Sequence, residues 1–250
     1  MSQSKRELRE QRRAIREAAE HEAALATARR RRIGWLGGAV AVAAVVVAIA
    51  AIVSTTPSKP AGAGATPSTV VAGVPEHDGV LGNPNAPYTV TEYLDLQCPI
   101  CKAASTQELP TLIDNYVKTG KVKLQARTLH FIGDDSTTAA LAAAGAKQQG
   151  KLWSFIETFY ANQGAENSGY VTDGFLRSVM KAAGVNANQA LAYAKTSAAQ
   201  AALDTADRDA SAVGANSTPT FTIKKGNGAE QTLAVGLSDL QAPLEKAIAG

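Results

Sequence analysis

The sequence predicts an α/β domain held behind a single membrane-spanning helix. Three observations carry that reading. A run of 21 residues without charge or proline, Ile33 to Val53, lies near the N-terminus. Beyond residue 75, strand-like and helix-like patterns follow one another as strand, helix, strand, a block of helices, a hairpin and a last helix. The chain's two cysteines, Cys98 and Cys101, stand at the first strand–helix junction.

Residues 1–32 hold ten Lys/Arg and five Glu, so they read as a charged cytoplasmic tail in which Glu/Arg pairs at spacings of three and four support helix. The apolar run 33–53 is long enough as a helix to span roughly 30 Å of hydrocarbon. Arg29 to Arg32 abut its N-terminal end, whereas Lys59 is the lone lysine of the next twenty residues. That asymmetry predicts a single-pass protein with its N-terminus in the cytoplasm and its C-terminal domain outside. A cleaved signal peptide is the rival reading, but its apolar core would be about 7–15 residues. The lipid bilayer is therefore the first expected partner. Residues 54–75 contain four prolines, three glycines and seven Ser/Thr, which predicts a flexible linker.

Residues 76–250 remain as one outer domain. Tyr88 to Leu96 alternates and is rich in β-formers, predicting a strand. A helix opens at Cys98 and runs to about Lys118, with Pro110 expected to kink it and Gly120 to end it. Val122 to Leu129 predicts a second strand. From about 134 to 213 the pattern is helical, with Asp134, Asp135 and Ser136 as candidate N-caps and Gly150, Gly164, Gly169 and Gly184 as breaks. Phe221–Ile223 and Gln231–Val235 read as a hairpin across Lys-Lys-Gly-Asn-Gly. The last helix is placed from Ser238, as N-cap, to Ala249.

Charge narrows the function. The chain is +3 overall, but the tail alone is +5, and the other 218 residues hold 15 Lys/Arg against 17 Asp/Glu. The domain has no basic signature of a nucleic-acid surface. Two cysteines do not make a disulfide-stapled scaffold or a four-cysteine zinc module.

Cys98-Pro99-Ile100-Cys101 is the informative segment. At a helix N-terminus, free N–H groups and the dipole favour a thiolate at Cys98. Cys101, one turn inside, is expected to be buried. Cys98 is then the exposed, attacked sulfur and Cys101 its resolving partner. Two blander readings stand beside this: a structural disulfide, as an oxidising compartment allows, and half a metal site, for which only His77 and His130 are available in the domain. Asp95 reads as strand-end surface and His130 as an ordinary loop histidine. Glu92 is open between a buried role and a solvent-facing strand position.

The run Val-Thr-Glu-Tyr-Leu-Asp-Leu-Gln-Cys-Pro-Ile-Cys, followed about 120 residues later by Ser-Thr-Pro-Thr-Phe, resembles DsbA-like thioredoxin-fold proteins, in particular the membrane-anchored group of actinobacteria. The resemblance covers residues 76–250 and implies a thioredoxin fold with a helical insertion at about 134–213. It implies that Cys98 is the nucleophile and Cys101 the buried cysteine. Pro219 matches a cis-proline facing the disulfide, with Thr218 offering backbone to an extended substrate. Glu92 matches an acidic residue beneath the site that carries protons for the buried thiol. Pro99 and Ile100 occupy the two positions between the cysteines. The strongly oxidising members carry histidine at the position of Ile100, so a milder oxidant is expected here. Thr218 pulls toward isomerase-like members.

The resemblance implies a protein thiol:disulfide oxidoreductase on the outer face of the cell membrane. Its substrates would be exported, unfolded proteins with thiols. A quinone-coupled membrane reoxidase of the DsbB or VKOR type would return it to the disulfide form. No cofactor beyond the Cys98–Cys101 pair, no metal and no nucleic-acid partner is expected. The alternatives are a reductase or isomerase of the same fold, or a tethered chaperone-like binding module whose disulfide is structural.

Overall fold

The structure is a computed structural model that describes residues 64–237 and 239–249. The expected tail 1–32, membrane helix 33–53, the first ten linker residues and the Ser238 cap lie outside the described residues. Among the described residues no helix is long and apolar enough to cross a membrane.

Six strands form one sheet in the order β1-β2-β4-β3-β5-β6. β1 (Glu76–His77) and β2 (Val80–Leu81) are a short antiparallel pair. They went unseen in the sequence because two-residue strands carry no periodicity. β3 (Tyr88–Asp95) and β4 (Val122–Leu129) run parallel. β5 (Thr220–Lys225) and β6 (Gln231–Val235) form the expected hairpin, and β5 pairs antiparallel with β3. All eight residues of β3 are buried, as befits a central strand covered on both faces.

The alternation of β3 sorts two cores. Tyr88, Val90 and Leu94 face the main core, whereas Tyr93 joins Leu129, Ala206, Ala210 and Ala215 on the other face. With a period of two, Glu92 shares its face with Val90 and Leu94, so it points into the main core.

α1 (Pro99–Gln107) ends earlier than expected. Pro110 does not kink one long helix. It sits in the first turn of a separate short α2 (Leu109–Leu112), where its missing N–H has no cost, and α2 passes into a π-turn at Ile113–Val117. Gly120 closes the segment at φ +73°.

The helical block is α3 (Asp134–Lys147), α4 (Leu152–Ala161), α5 (Asp173–Ala182), α6 (Ala187–Tyr193) and α7 (Ser197–Val213). α3 begins after Gly133 with no side-chain cap; Asp134 and Asp135 lie in its first turn, where their charge suits the dipole. A Cβ on Gly145 would sit 2.2 Å from the carbonyl oxygen of Ala190, so glycine permits the close approach of α3 and α6. α8 (Gln241–Ala249) starts with Asp239 Oδ1 accepting from the Gln241 N–H at 2.9 Å.

Residues 64–75, which composition placed in the flexible linker, pack on the domain instead. Val71 and Val74 are buried in the main core. Thr66 N–H donates to Asn162 Oδ1 at 2.9 Å and Asn162 Nδ2 returns a bond to the Thr66 carbonyl at 2.8 Å. Two valines among prolines and glycines are enough to dock the segment, and an average over 22 residues hides them.

Candidate active site

β3 delivers the chain to the site, and side chains from the helical block hold it there. Asp95, the last residue of β3, is buried. Its Oδ1 accepts from the Gln97 N–H at 2.9 Å and from Ser136 Oγ at 2.7 Å, so it is a turn-former and not strand-end surface. The Cys98 N–H donates to the Asp95 carbonyl at 3.0 Å. From just past the end of α4, Gln163 Nε2 donates to the carbonyls of Leu96 (2.7 Å) and Cys98 (3.2 Å). Tyr160 Oη donates to the Asp95 carbonyl at 3.2 Å.

Cys98 is the N-cap of α1, its sulfur accepting from the Cys101 N–H at 3.4 Å. Both cysteines are free thiols. Pro99 lies in the first turn and Ile100 is exposed. Cys98 is less open than expected, at 5% exposure against 0% for Cys101. The reason is the loop across from it: the Thr218–Pro219 bond is cis, and Cys98 Sγ donates to the Thr218 carbonyl at 3.4 Å. That loop is braced by a bond from the Gly236 N–H to the Pro219 carbonyl at 2.8 Å.

The two sulfurs differ electrostatically far more than in exposure. A hydrogen bond from the Cys101 thiol holds the Cys98 thiol down at about 6, against its burial, with help from the Thr218 side chain and the backbone N–H groups of Cys101 and Ile100. Burial, then the neighbouring Cys98, pushes Cys101 well up. Alkylation of reduced Cys98 by iodoacetamide is therefore expected to stay on a plateau above about pH 7 and fall as pH drops through about 6. A midpoint near about 8.5, that of an ordinary thiol, would contradict this.

Glu92 is buried beneath the pair, and this settles the question the sequence left open. Burial, the charge of Glu157 and that of Cys98, in that order, raise its carboxyl well above the usual range. Glu157 itself was missed by the sequence reading. It lies on α4, is buried, accepts a hydrogen bond from Ser105 Oγ, and is pushed up to about 8 by burial against that bond. The signal was present: Trp153, Ile156, Glu157 and Tyr160 share a stripe at i, i+3, i+4 and i+7, which places a carboxylate on an apolar face.

His130 has Nε2 3.2 Å from Asp207 Oδ2 and Nδ1 3.3 Å from Thr137 Oγ1, and His77 pairs with Asp78. Among the described residues no group of three or more His, Cys, Asp or Glu is placed to hold a metal.

The family model described as Thioredoxin matches residues 75–242. The chain belongs to the thioredoxin family. Its curated relatives include the probable disulfide bond formation protein D of Bacillus cereus, 35% identical over 103 residues, 40% of this chain and 48% of that one. Disulfide bond formation protein D of Bacillus subtilis is 32% identical over 115 residues, 44% of this chain and 52% of that one. The chain spans about half the length of these relatives.

Among solved thioredoxin-fold structures, oxidised BdbD from Bacillus subtilis matches with a TM-score of 0.60 at 21% identity, over 74% of this chain and 95% of that one. A thioredoxin-like oxidoreductase from Silicibacter pomeroyi DSS-3 matches at 0.55 and 26%, over 68% and 92%. DsbA of Chlamydia trachomatis matches at 0.57 and 16%, over 68% and 89%. The thioredoxin fold with a helical insertion is thus the architecture of this chain.

Proposed function

We propose that this protein is a thiol–disulfide oxidoreductase that introduces disulfides into exported proteins from the outer face of the cell membrane. The observation that carries the reading is the polarised pair: Cys98 caps a helix with its thiol held at about 6, and Cys101 beneath it is pushed well up. The relatives named for disulfide bond formation support the chemistry. The uncharged run 33–53 supports the anchor.

The working form holds the Cys98–Cys101 disulfide. A substrate thiolate attacks Cys98 Sγ, a substrate–Cys98 bond forms, and Cys101 leaves with the electron pair. Glu92, whose burial keeps a proton on its carboxyl, supplies that proton to Cys101. A second substrate thiolate then attacks the substrate sulfur of the mixed disulfide. Cys98 leaves as thiolate, which its low pKa makes easy. The substrate loses two electrons and two thiol protons. The protein gains two electrons and, above about pH 6, one lasting proton, on Cys101. Glu92 regains its own proton from solvent. Return to the disulfide needs an electron acceptor, for which a quinone-coupled membrane protein of the DsbB or VKOR type is the proposed partner.

Substrate binding is proposed at the edge beside Thr218, as an extended peptide. The exposed large hydrophobic residues Ile100, Phe131, Val235 and Leu237 support this. Ile100 adjoins Cys98, Phe131 follows the end of β4 beside Asp95, and Val235 pairs with Thr220 next to Pro219, so they share one end of the sheet. The direct test is stoichiometric oxidation of a reduced, unfolded two-thiol protein by the oxidised chain. Loss of substrate thiols matched by gain of Cys98 and Cys101 thiols supports the reading; unchanged thiols on both sides overturn it.

A further inference from the structure

Glu92 on β3 and Glu157 on α4 are both buried, and the charge of Glu157 is felt at Glu92. Each carries a carboxylate oxygen, Oε1, that is buried with no hydrogen-bond partner. A buried acceptor left unsatisfied is costly unless it carries a proton or faces a group that does. Glu157 is also tied to the redox helix. Ser105, which donates to it, stands four residues after Cys101 and hence on the same face of α1, one turn on.

We propose that Glu157 is a positioning residue for the thiol–disulfide step, forming with Glu92 a carboxyl pair that keeps a proton available to Cys101, and that Ser105 couples this pair to the redox helix. The proposal rests on the oxidoreductase reading above and adds a second acid to it.

The physical argument is like-charge repulsion in a dry pocket. Two carboxylates so placed do not ionise together, so charge on one holds the proton on the other. Burial outweighs the Ser105 bond and sets the Glu157 midpoint at about 8, so as pH rises through that value Glu157 takes the charge, and that charge adds to burial in holding the proton on Glu92, beside the sulfurs. As Cys101 leaves, the Glu92 proton moves to its sulfur and the pair recovers one proton from solvent.

The other groups around the pair are few. α1 brings Cys98, Cys101 and Ser105, and α4 brings Tyr160, whose hydroxyl is raised far above its usual range, by burial first and then by Cys101. Glu76 accepts from the Trp153 N–H and from Ser154 at the start of α4. The buried residues of α3 and α5, which also pack on α4, are alanines, glycine and serine, and leucine, valine and methionine. None of those titrates.

The test uses the full-length chain in detergent and dithiothreitol as the dithiol. The rate of reduction of Cys98–Cys101 is followed between pH 6 and 10 by alkylation and mass, for wild type, Glu157→Gln and Ser105→Ala. Taking the ratio of each variant to wild type removes the titration of dithiothreitol itself. In Glu157→Gln the charge that holds the Glu92 proton is gone, so Glu92 ionises at lower pH. The ratio is expected to be constant below about pH 7 and to fall above the Glu157 midpoint of about 8. By pH 9, about one unit above that midpoint, the variant should be clearly slower than wild type. Ser105→Ala should give a smaller fall in the same direction and guards against a Glu157 variant that misfolds. Ratios flat across the range in both variants would overturn the proposal, since a merely structural role has no pH signature there. A wild-type disulfide that does not exchange with dithiothreitol at any pH would instead overturn the activity reading itself.

Discussion

Replacing Cys98 with serine is expected to abolish oxidation of a reduced protein substrate, down to the background rate. The serine oxygen forms no disulfide, so the oxidised working form never arises. Cys101→Ser should fail differently. Cys98 keeps its backbone donors and reacts with glutathione disulfide, but nothing within the protein resolves the product. The expected results are a stable one-to-one glutathione adduct for Cys101→Ser and none for Cys98→Ser, read by intact mass. An adduct on Cys98→Ser, which would place the reactive thiol at Cys101, contradicts the assignment. Binding of an unfolded peptide that Cys98→Ser leaves intact, with no thiol oxidation by the wild type, would leave a tethered binding module as the better reading.

Trp153→Ala is expected to show the largest loss of stability. Trp153 is fully buried in α4, and its Nε1 donates to the Gly79 carbonyl in the turn between β1 and β2 at 3.1 Å. It therefore joins the helical insertion to the edge of the sheet. Truncating a buried tryptophan costs about 3–5 kcal/mol, and the lost hydrogen bond adds about 1 kcal/mol. Against a total of about 5–15 kcal/mol, that is enough to leave part of the population unfolded at growth temperature. Chemical denaturation should show a lower midpoint with an unchanged slope. A loss under about 1 kcal/mol would mean that the insertion and the sheet are not coupled through this residue.

Much of the site was legible because its signals are local. A helix that opens at Cys98 after an alternating strand places one sulfur at the cap and the other a turn inside, and the structure has this arrangement. The Thr218–Pro219 loop faces the sulfur as the family resemblance implied. What was not legible depends on tertiary packing. The burial of Glu92 turns on which face of β3 meets α4. Asp95 looked like surface because its partner Ser136 lies 41 residues on. The lowered Cys98 thiol was expected to suffer from Ile100 in place of histidine. The Cys101 thiol does most of that work instead, which residue types do not show, aided by the helix N-terminal N–H groups that the sequence did point to.

This has a consequence for redox poise. A thiol held at about 6 instead of 9 favours the reduced form by three pK units, about 4 kcal/mol, once pH exceeds the ordinary thiol value. The gain shrinks as pH falls toward 6. At pH 7 only about one unit is realised, about 1.4 kcal/mol or 30 mV. The chain is thus expected to be a milder oxidant than DsbA but a stronger one than thioredoxin.

The reduction potential of the full-length chain against glutathione at pH 7, read from the fraction of alkylatable Cys98, tests this most directly. The account predicts a reversible two-electron couple above about −230 mV and below the −120 mV of DsbA. A value near about −270 mV or lower, in the range of thioredoxin, would make the protein a reductant and contradict it.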